Sequence, residues 1–134
     1  MRFAVIGARV LLGLVFVVYG LNGFFHFPFL PMPEMTEAAG SLIGALVATG
    51  YFMSVVALVE AVSGLMILIG WFLPLGLILL APVSVNILLF HLFLDPNGLP
   101  VAIFIVILQL FLAWAYRDSF SGALQANAKP TGQS

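Results

Sequence analysis

The chain has 134 residues, of which 63% are hydrophobic and only 7% are charged. A soluble domain carries roughly 25% charged residues, so this composition excludes an ordinary water-soluble protein and indicates a lipid environment. The net charge of −1 offers no basic surface to nucleic acid, and the absence of cysteine excludes disulfides and thiolate chemistry.

Four stretches of the chain are apolar and long enough to cross a membrane, which takes about 20 helical residues. These spans are predicted over residues 3–25, 51–69, 72–94 and 99–116. A Pro-rich segment, residues 28–34, cannot continue the first helix, and residues 37–49 are predicted to form a short interfacial helix. We therefore expect an all-α, integral membrane four-helix bundle forming a single domain over residues 1–118. The polar residues 119–134 are expected to be a flexible cytoplasmic tail.

The basic residues predict how the bundle is oriented. An even number of spans places both termini on one side of the membrane, and every Lys and Arg flanks a terminus. The loops expected on the other side carry only the acids Glu34, Glu37 and Asp95. The positive-inside rule then predicts cytoplasmic termini. Arg9, about one turn into the first span, is expected to extend its guanidinium to lipid phosphates.

Glu60 is the most informative polar residue, because an ionisable side chain inside a membrane is costly and by default a functional hypothesis. It lies about ten residues into the second span, near the bilayer midplane. Its helical face holds the small residues Ala57, Ser63 and Gly64, so we expect the carboxyl to point into the bundle. There it could exchange a proton or bind a ligand. The alternative is a protonated carboxyl bonded to an Asn or Gln of a neighbouring helix.

Further polar residues are predicted at similar depths in the other spans. Tyr19, Asn22 and His26 follow the helical spacing i, i+3 and i+7 and form one stripe on the first helix. We expect a polar pocket within the bundle, with Glu60 and His91 as its catalytic residues. The candidate cofactor-binding residues of this pocket are Tyr19, Asn22, His26, Asn86 and Gln109.

Simpler interpretations of these residues remain open. For each Asn and Gln, a hydrogen bond between helices is at least as good an explanation as ligand contact. Each His could equally lie at the membrane surface and bond to a loop carbonyl. Asn86 and His91, five residues apart, point roughly 140° apart on an ideal helix and cannot share a narrow face.

Two sharper interpretations of the histidines are not favoured. Haem ligated by His26 and His91 would fit their equal depth, but helix bundles usually supply deeper ligands. A metal site from His26, His91, Asp95 and Glu34 would need loops of unknown proximity to converge. We predict neither haem nor a metal ion.

Glu60 lies among several motifs along the chain, at residues 8–16, 20–25, 64–70, 71–75, 81–91 and 113–117. The order of these motifs, with Glu60 at the middle of the second span, resembles the DoxX family of small membrane proteins. The resemblance covers nearly the whole chain except the last dozen residues. It implies four spans and an association with quinones and oxidoreductase systems. Many members carry a Lys shortly after the position of Asn22, where this chain has Gly23, Phe24 and Phe25.

We therefore expect a multi-pass protein of a bacterial plasma membrane that binds a quinone or similar lipophilic ligand as a subunit of an oxidoreductase system. The chain has no flavin, haem or iron–sulfur motif, so a soluble or membrane oxidoreductase partner would supply the electrons, and whether the chain is itself an enzyme stays open. One alternative is a non-enzymatic assembly or scaffold subunit whose polar residues only lock the helices together. Another is a small transporter, a homo-oligomer of two copies, in which Glu60 is the coupling carboxylate.

Overall fold

The computed structural model describes residues 1–26 and 34–132, and residues 27–33 of the predicted Pro-rich segment lie outside the described part, as do residues 133–134 of the tail. Two short 3-10 helices, Pro96–Gly98 and Arg117–Phe120, occur in the described part. The described residues form five α-helices, namely α1 (Arg2–Phe25), α2 (Glu37–Ala48), α3 (Phe52–Ile69), α4 (Leu73–Phe93) and α5 (Leu99–Ala115).

Helices α1, α3 and α4, and the segment Pro96–Ala115 that joins the first 3-10 helix to α5, are long and apolar enough to cross a membrane. Contacts join α1 to α3, α3 to α4, α4 to α5 and α5 back to α1, so the four spans form a closed bundle. The shorter helix α2 lies between the first two spans in the chain and contacts α3. The expected all-α architecture, with four spans and a short helix between the first and the second, is confirmed.

The turn between α3 and α4 is built from residues that end one helix and begin the next. Gly70 follows α3 in the left-handed region, with φ 86°, and its N–H donates to the Met66 carbonyl at 2.9 Å. Glycine adopts this conformation without steric cost, which makes it a common helix terminator. Pro74 lies in the first turn of α4, where its missing N–H leaves no helical bond unmade.

Helices α1 and α3 approach each other closely because glycines line their shared face. A methyl group added at Gly64 would lie 2.9 Å from the Cβ atom of Phe16, and one added at Gly13 would lie 2.9 Å from the Gly64 carbonyl oxygen. A methyl group at Gly20 would lie 2.9 Å from the Ala57 carbonyl oxygen. This pairing, with Gly13 opposite Gly64 and Gly20 opposite Ala57, makes the two helices antiparallel. Small residues permit such close backbone contact in membranes.

Arg9 ties α1 to the end of α3 instead of extending to lipid. Its Nε donates to the Ile67 carbonyl at 3.2 Å, and its Nη2 donates to the Leu68 carbonyl at 3.3 Å. The last carbonyls of a helix have no partner within the helix, and a guanidinium is a favourable donor to them. The guanidinium of Arg9, inside the apolar first span, therefore caps the C-terminus of the neighbouring helix α3.

The buried core fills one half of the bundle. Its residues come from the first two thirds of α1, the end of α3, the first half of α4 and the middle and end of α5, and they are Ala8, Leu12, Phe16, Ile67, Leu73, Leu77, Leu80, Ile105 and Leu112. The other half, which holds the C-termini of α1 and α4 and the N-termini of α3 and α5, is called the α2 end here. The core leaves the α2 end less tightly filled, and the largest cavity described below lies there.

Candidate ligand-binding cavity

A cavity of about 760 Å³ lies between α2, α3 and α4 at the α2 end of the bundle. Most of its wall is apolar, and three polar side chains interrupt that wall. The lining residues are Leu42, Ile43, Leu46, Phe52, Met53, Val56, Glu60, Pro82, Val83, Asn86, Ile87, Leu89, Phe90, His91, Phe93 and Leu94. Ligand sites in proteins have this character, with a concave apolar wall and a few placed polar groups.

Helix α2 forms one wall of the cavity and is fixed at its first turn. Thr36 is the N-cap of α2, and its hydroxyl accepts the Ala39 N–H at 3.2 Å. The same hydroxyl donates to the Leu94 carbonyl at the end of α4. Ala39 is fully buried, whereas later residues of α2 are more exposed. The first turn of α2 is therefore anchored to α4, and the rest of the helix covers the cavity more loosely.

Glu60 lies where the close-packed face of α3 meets the cavity. Ala57 and Gly64, three and four residues away, are buried against α1. Met53 and Val56, a turn or two earlier, line the cavity with Glu60 itself. Within residues 1–26 and 34–132 no hydrogen bond or ion pair engages the Glu60 carboxyl, so its two oxygens are available to a ligand in the cavity.

Asn86 presents an oxygen acceptor to the same cavity. One N–H of its amide donates to the Pro82 carbonyl one turn earlier, at 2.9 Å. The second N–H and the carbonyl oxygen of the amide are left for a ligand. Asn86 and His91 both line the cavity although they point in different directions on α4, because the cavity follows a wide arc of that helix, from Pro82 to Leu94.

His91 lies at the end of α4, held against the loop that follows. Its Nδ1 is 3.1 Å from the backbone carbonyl oxygen of Asp95 and 4.0 Å from the carboxylate oxygen Oδ2 of the same residue. A side chain at Gly98 would collide with the imidazole ring, and Phe90 meets the ring edge-on at 5.2 Å between centroids. The ring is therefore confined by its neighbours, with about a quarter of the side chain exposed.

Asp95 is a buried acid that the sequence prediction did not place in the site. Its side chain is 4% exposed, and its Oδ1 atom has no hydrogen-bond partner among the described residues. The i, i+4 spacing from His91 and the following Pro96 were the signals that could have linked the two side chains. No third His, Cys, Asp or Glu joins them in the part of the chain that the structure describes.

Gln109 lies apart from the cavity, in the interface between α4 and α5. Its amide Nε2 donates to the Leu77 carbonyl at 3.2 Å, and its Oε1 accepts from the Ser84 hydroxyl. Both side chains are buried. Gln109 and Ser84 line a separate cavity of about 140 Å³, which α3 does not reach. Gln109 therefore satisfies its polar groups within the protein and not with Glu60.

The predicted stripe on α1 also lies away from the cavity. Tyr19 is 56% exposed on α1, and Asn22 is partly buried there. His26 follows α1 in the left-handed region, with φ 50°, and its N–H donates to the Asn22 carbonyl at 2.9 Å. None of these three residues lines the cavity in the described chain. Of the seven predicted site residues, the structure brings together Glu60, Asn86 and His91.

Comparison with known proteins assigns the chain to a family. The family model of DoxX matches residues 4–92. The chain belongs to the DoxX family. No curated protein and no solved structure matches it. The DoxX match includes α1 to α3 and nearly all of α4, and therefore Glu60, Asn86 and His91, while Asp95 and Gln109 lie beyond it.

Proposed function

We propose that this DoxX-family chain is a membrane subunit of an oxidoreductase system and binds a quinone or a similar lipophilic ligand between α2, α3 and α4. The observation that carries the proposal is the cavity of about 760 Å³, apolar but for Glu60, Asn86 and His91. Ligand pockets typically enclose about 300–1,000 Å³, which suits a single substituted ring. A carboxyl with no partner among the described residues, inside an apolar span, supports a ligand-related role for Glu60.

The lining of the cavity fits the chemistry of such a ligand. The flat apolar ring would lie among side chains such as Phe52, Val56 and Phe90. The free N–H of Asn86, or Glu60 in its protonated form, would donate to an oxygen on the ring. Glu60 and His91 are the titratable side chains of the wall and would exchange the protons that accompany a redox change of the ligand.

Electrons would reach the ligand from a partner protein. The chain has no cysteine, and its sequence contains no flavin, haem or iron–sulfur motif. The contribution of this chain is therefore binding, orientation and proton exchange. In the proposed orientation, a bacterial plasma membrane with cytoplasmic termini, the cavity lies in the half of the bilayer away from the cytoplasm.

Quinone binding to the purified protein in nanodiscs tests the proposal. We expect Glu60→Ala and His91→Ala each to weaken binding about tenfold, because each removes a polar contact from an apolar site. Leu65→Ala is the matched control on α3, since Leu65 is half exposed and does not line the cavity. Wild-type affinity in both cavity variants would rule out the proposed site.

A scaffold role is the second candidate, and it is favoured by the other polar residues. Arg9 and Gln109 make hydrogen bonds that join neighbouring helices, as a purely structural subunit would require. Purification of the protein with a stable partner but no extracted small molecule would support this role. A quinone or another lipophile recovered by mass spectrometry would support the binding role instead.

A further inference from the structure

The loop after α4 determines which nitrogen of His91 carries a proton. The Nδ1 atom lies 3.1 Å from the Asp95 backbone carbonyl oxygen, at hydrogen-bond distance. A carbonyl oxygen only accepts, so the hydrogen must be on Nδ1. The Oδ2 atom of the Asp95 side chain, a second oxygen on the same side of the ring, lies 4.0 Å from Nδ1. In the neutral imidazole, Nε2 is then a bare acceptor.

The ring is also held in place, so this arrangement persists when a ligand approaches. A side chain at Gly98 would collide with the imidazole, and Phe90 packs against it edge-on. Since the loop engages Nδ1, the nitrogen of His91 that is left for a ligand is the acceptor Nε2.

Asn86 adds a second acceptor on the same helix. One of its two N–H groups is committed to the Pro82 carbonyl, whereas its side-chain oxygen has no partner among the described residues. The α4 wall of the cavity therefore holds two acceptors, Nε2 of His91 and the oxygen of Asn86. Asn86 also keeps one free N–H and can therefore meet either a hydroxyl group or a carbonyl oxygen, so the discrimination between the two comes from His91, whose Nε2 only accepts.

We propose that the cavity selects lipophiles that present a hydroxyl donor to His91, a phenol or a hydroquinone, over the matching carbonyl or methyl-ether compounds. This specificity rests on the proposed function, because it concerns the same cavity. His91 accepts from the hydroxyl group through Nε2, and Asp95 is a positioning residue that acts through His91. An acceptor that faces another acceptor makes no hydrogen bond, which disfavours the quinone form at Nε2 of His91.

The test compares three ligands that differ at the ring oxygens only: a decyl hydroquinone, the matching quinone and the hydroquinone dimethyl ether, titrated anaerobically into protein in nanodiscs. We expect the hydroquinone to bind about fivefold tighter than the other two, as one hydrogen bond allows. His91→Phe keeps a ring but removes the acceptor, so the preference should disappear. Leu92→Phe introduces a phenylalanine ring at the neighbouring, exposed position, and this control variant should retain the preference for the hydroquinone.

The outcomes separate this inference from the proposed function. Equal affinity for all three ligands in the wild type, or an unchanged preference in His91→Phe, overturns the specificity and leaves the binding site standing. Failure of every ligand to bind overturns both. Tighter binding of the hydroquinone that is lost in His91→Phe supports both.

The protonated nitrogen of His91 can also be identified directly in the wild-type protein, without a ligand and without a His91 variant. The chain has two histidines, so ¹⁵N spectra of histidine-labelled wild-type protein contain two imidazoles, and His26→Asn assigns them. We expect the neutral His91 ring to show a protonated Nδ1 and an unprotonated Nε2. A proton on Nε2 would overturn the inference.

Discussion

At the scale of single residues, the polar side chains of this apolar protein divide into two groups. Arg9 and Gln109 form hydrogen bonds within the protein, because both donate to backbone carbonyls of other helices. Such bonds stabilise helix contacts in the lipid interior, where no water competes for the donors and acceptors. Glu60, Asn86 and His91 instead keep unused hydrogen-bonding groups that face one cavity. This division, more than the presence of polar residues in the spans, points to where a ligand binds.

Replacing Gln109 with Leu tests the first group. The substitution removes the bond to the Leu77 carbonyl and leaves the buried Ser84 hydroxyl without its acceptor. We expect a loss of about 1 kcal/mol in the free energy of unfolding, the usual size of a hydrogen bond between helices in a membrane. Unfolding in mixed micelles measures it, and Gln125→Leu in the exposed tail is the control. An unchanged free energy would mean that the Gln109 bonds do not stabilise the bundle.

At the scale of helices, α1 and α3 form a tight antiparallel pair, whereas α2 is attached mainly through its first turn. The pair depends on glycines that let the backbones touch. Helix α2 relies on the Thr36 cap and its bond to Leu94, and much of its remaining surface is exposed. The helix that closes the cavity is therefore the least firmly held of the five.

A pair of glycine substitutions within α1 tests the close packing. A methyl group at Gly20 would lie 2.9 Å from the Ala57 carbonyl oxygen, whereas one at Gly7 would meet nothing within 4 Å. We expect Gly20→Ala to destabilise the protein by about 1–3 kcal/mol through overpacking. Gly7→Ala should stabilise it by about 0.5–1 kcal/mol, because alanine favours the helix. Thermal unfolding of both variants checks the contrast, and equal effects would contradict the packing described.

Loosening α2 should open the cavity. Thr36→Val removes the cap on Ala39 and the bond to Leu94, and this loss should destabilise the closed position of α2 by about 1 kcal/mol. The fraction of molecules in which α2 has moved away from the cavity should then rise about fivefold. The chain has no cysteine, so Ile43→Cys on the cavity wall is a sole thiol whose maleimide labelling rate reports opening. Val47→Cys, on an exposed part of α2, should react at the same rate with either residue at position 36. A labelling rate at position 43 that Thr36→Val leaves unchanged would contradict the anchoring role of Thr36.

At the scale of the whole molecule, sequence reasoning predicted the spans but only part of the site. Hydropathy and turn residues predict four apolar helices because lipid forces each span to satisfy its own backbone. The direction in which a polar side chain points depends on how helices pack, and here the glycines of α1 draw α3 close while α2 adds a wall to the cavity. Gln109 was therefore grouped with Glu60 on depth alone, although the two side chains lie in different interfaces.

The predicted membrane orientation is testable with two sole cysteines. Asn97→Cys lies in the turn between α4 and α5, and Asn127→Cys lies in the tail. If both termini are cytoplasmic, an impermeant maleimide should label position 97 in intact spheroplasts and position 127 only after permeabilisation. The reverse labelling pattern would show that the bundle has the opposite orientation in the membrane. Labelling of both positions from outside would contradict the even number of spans.

Photolabelling tests most directly the central claim that a lipophile occupies the cavity between α2, α3 and α4. A photoreactive short-chain quinone would be irradiated with the protein in nanodiscs, and the modified residues would be located by peptide mass spectrometry. The predicted result is modification within residues 42–60 and 82–94, reduced by an excess of unlabelled ligand. Modification spread over the exposed face of α5, or modification that excess ligand does not reduce, would contradict the account.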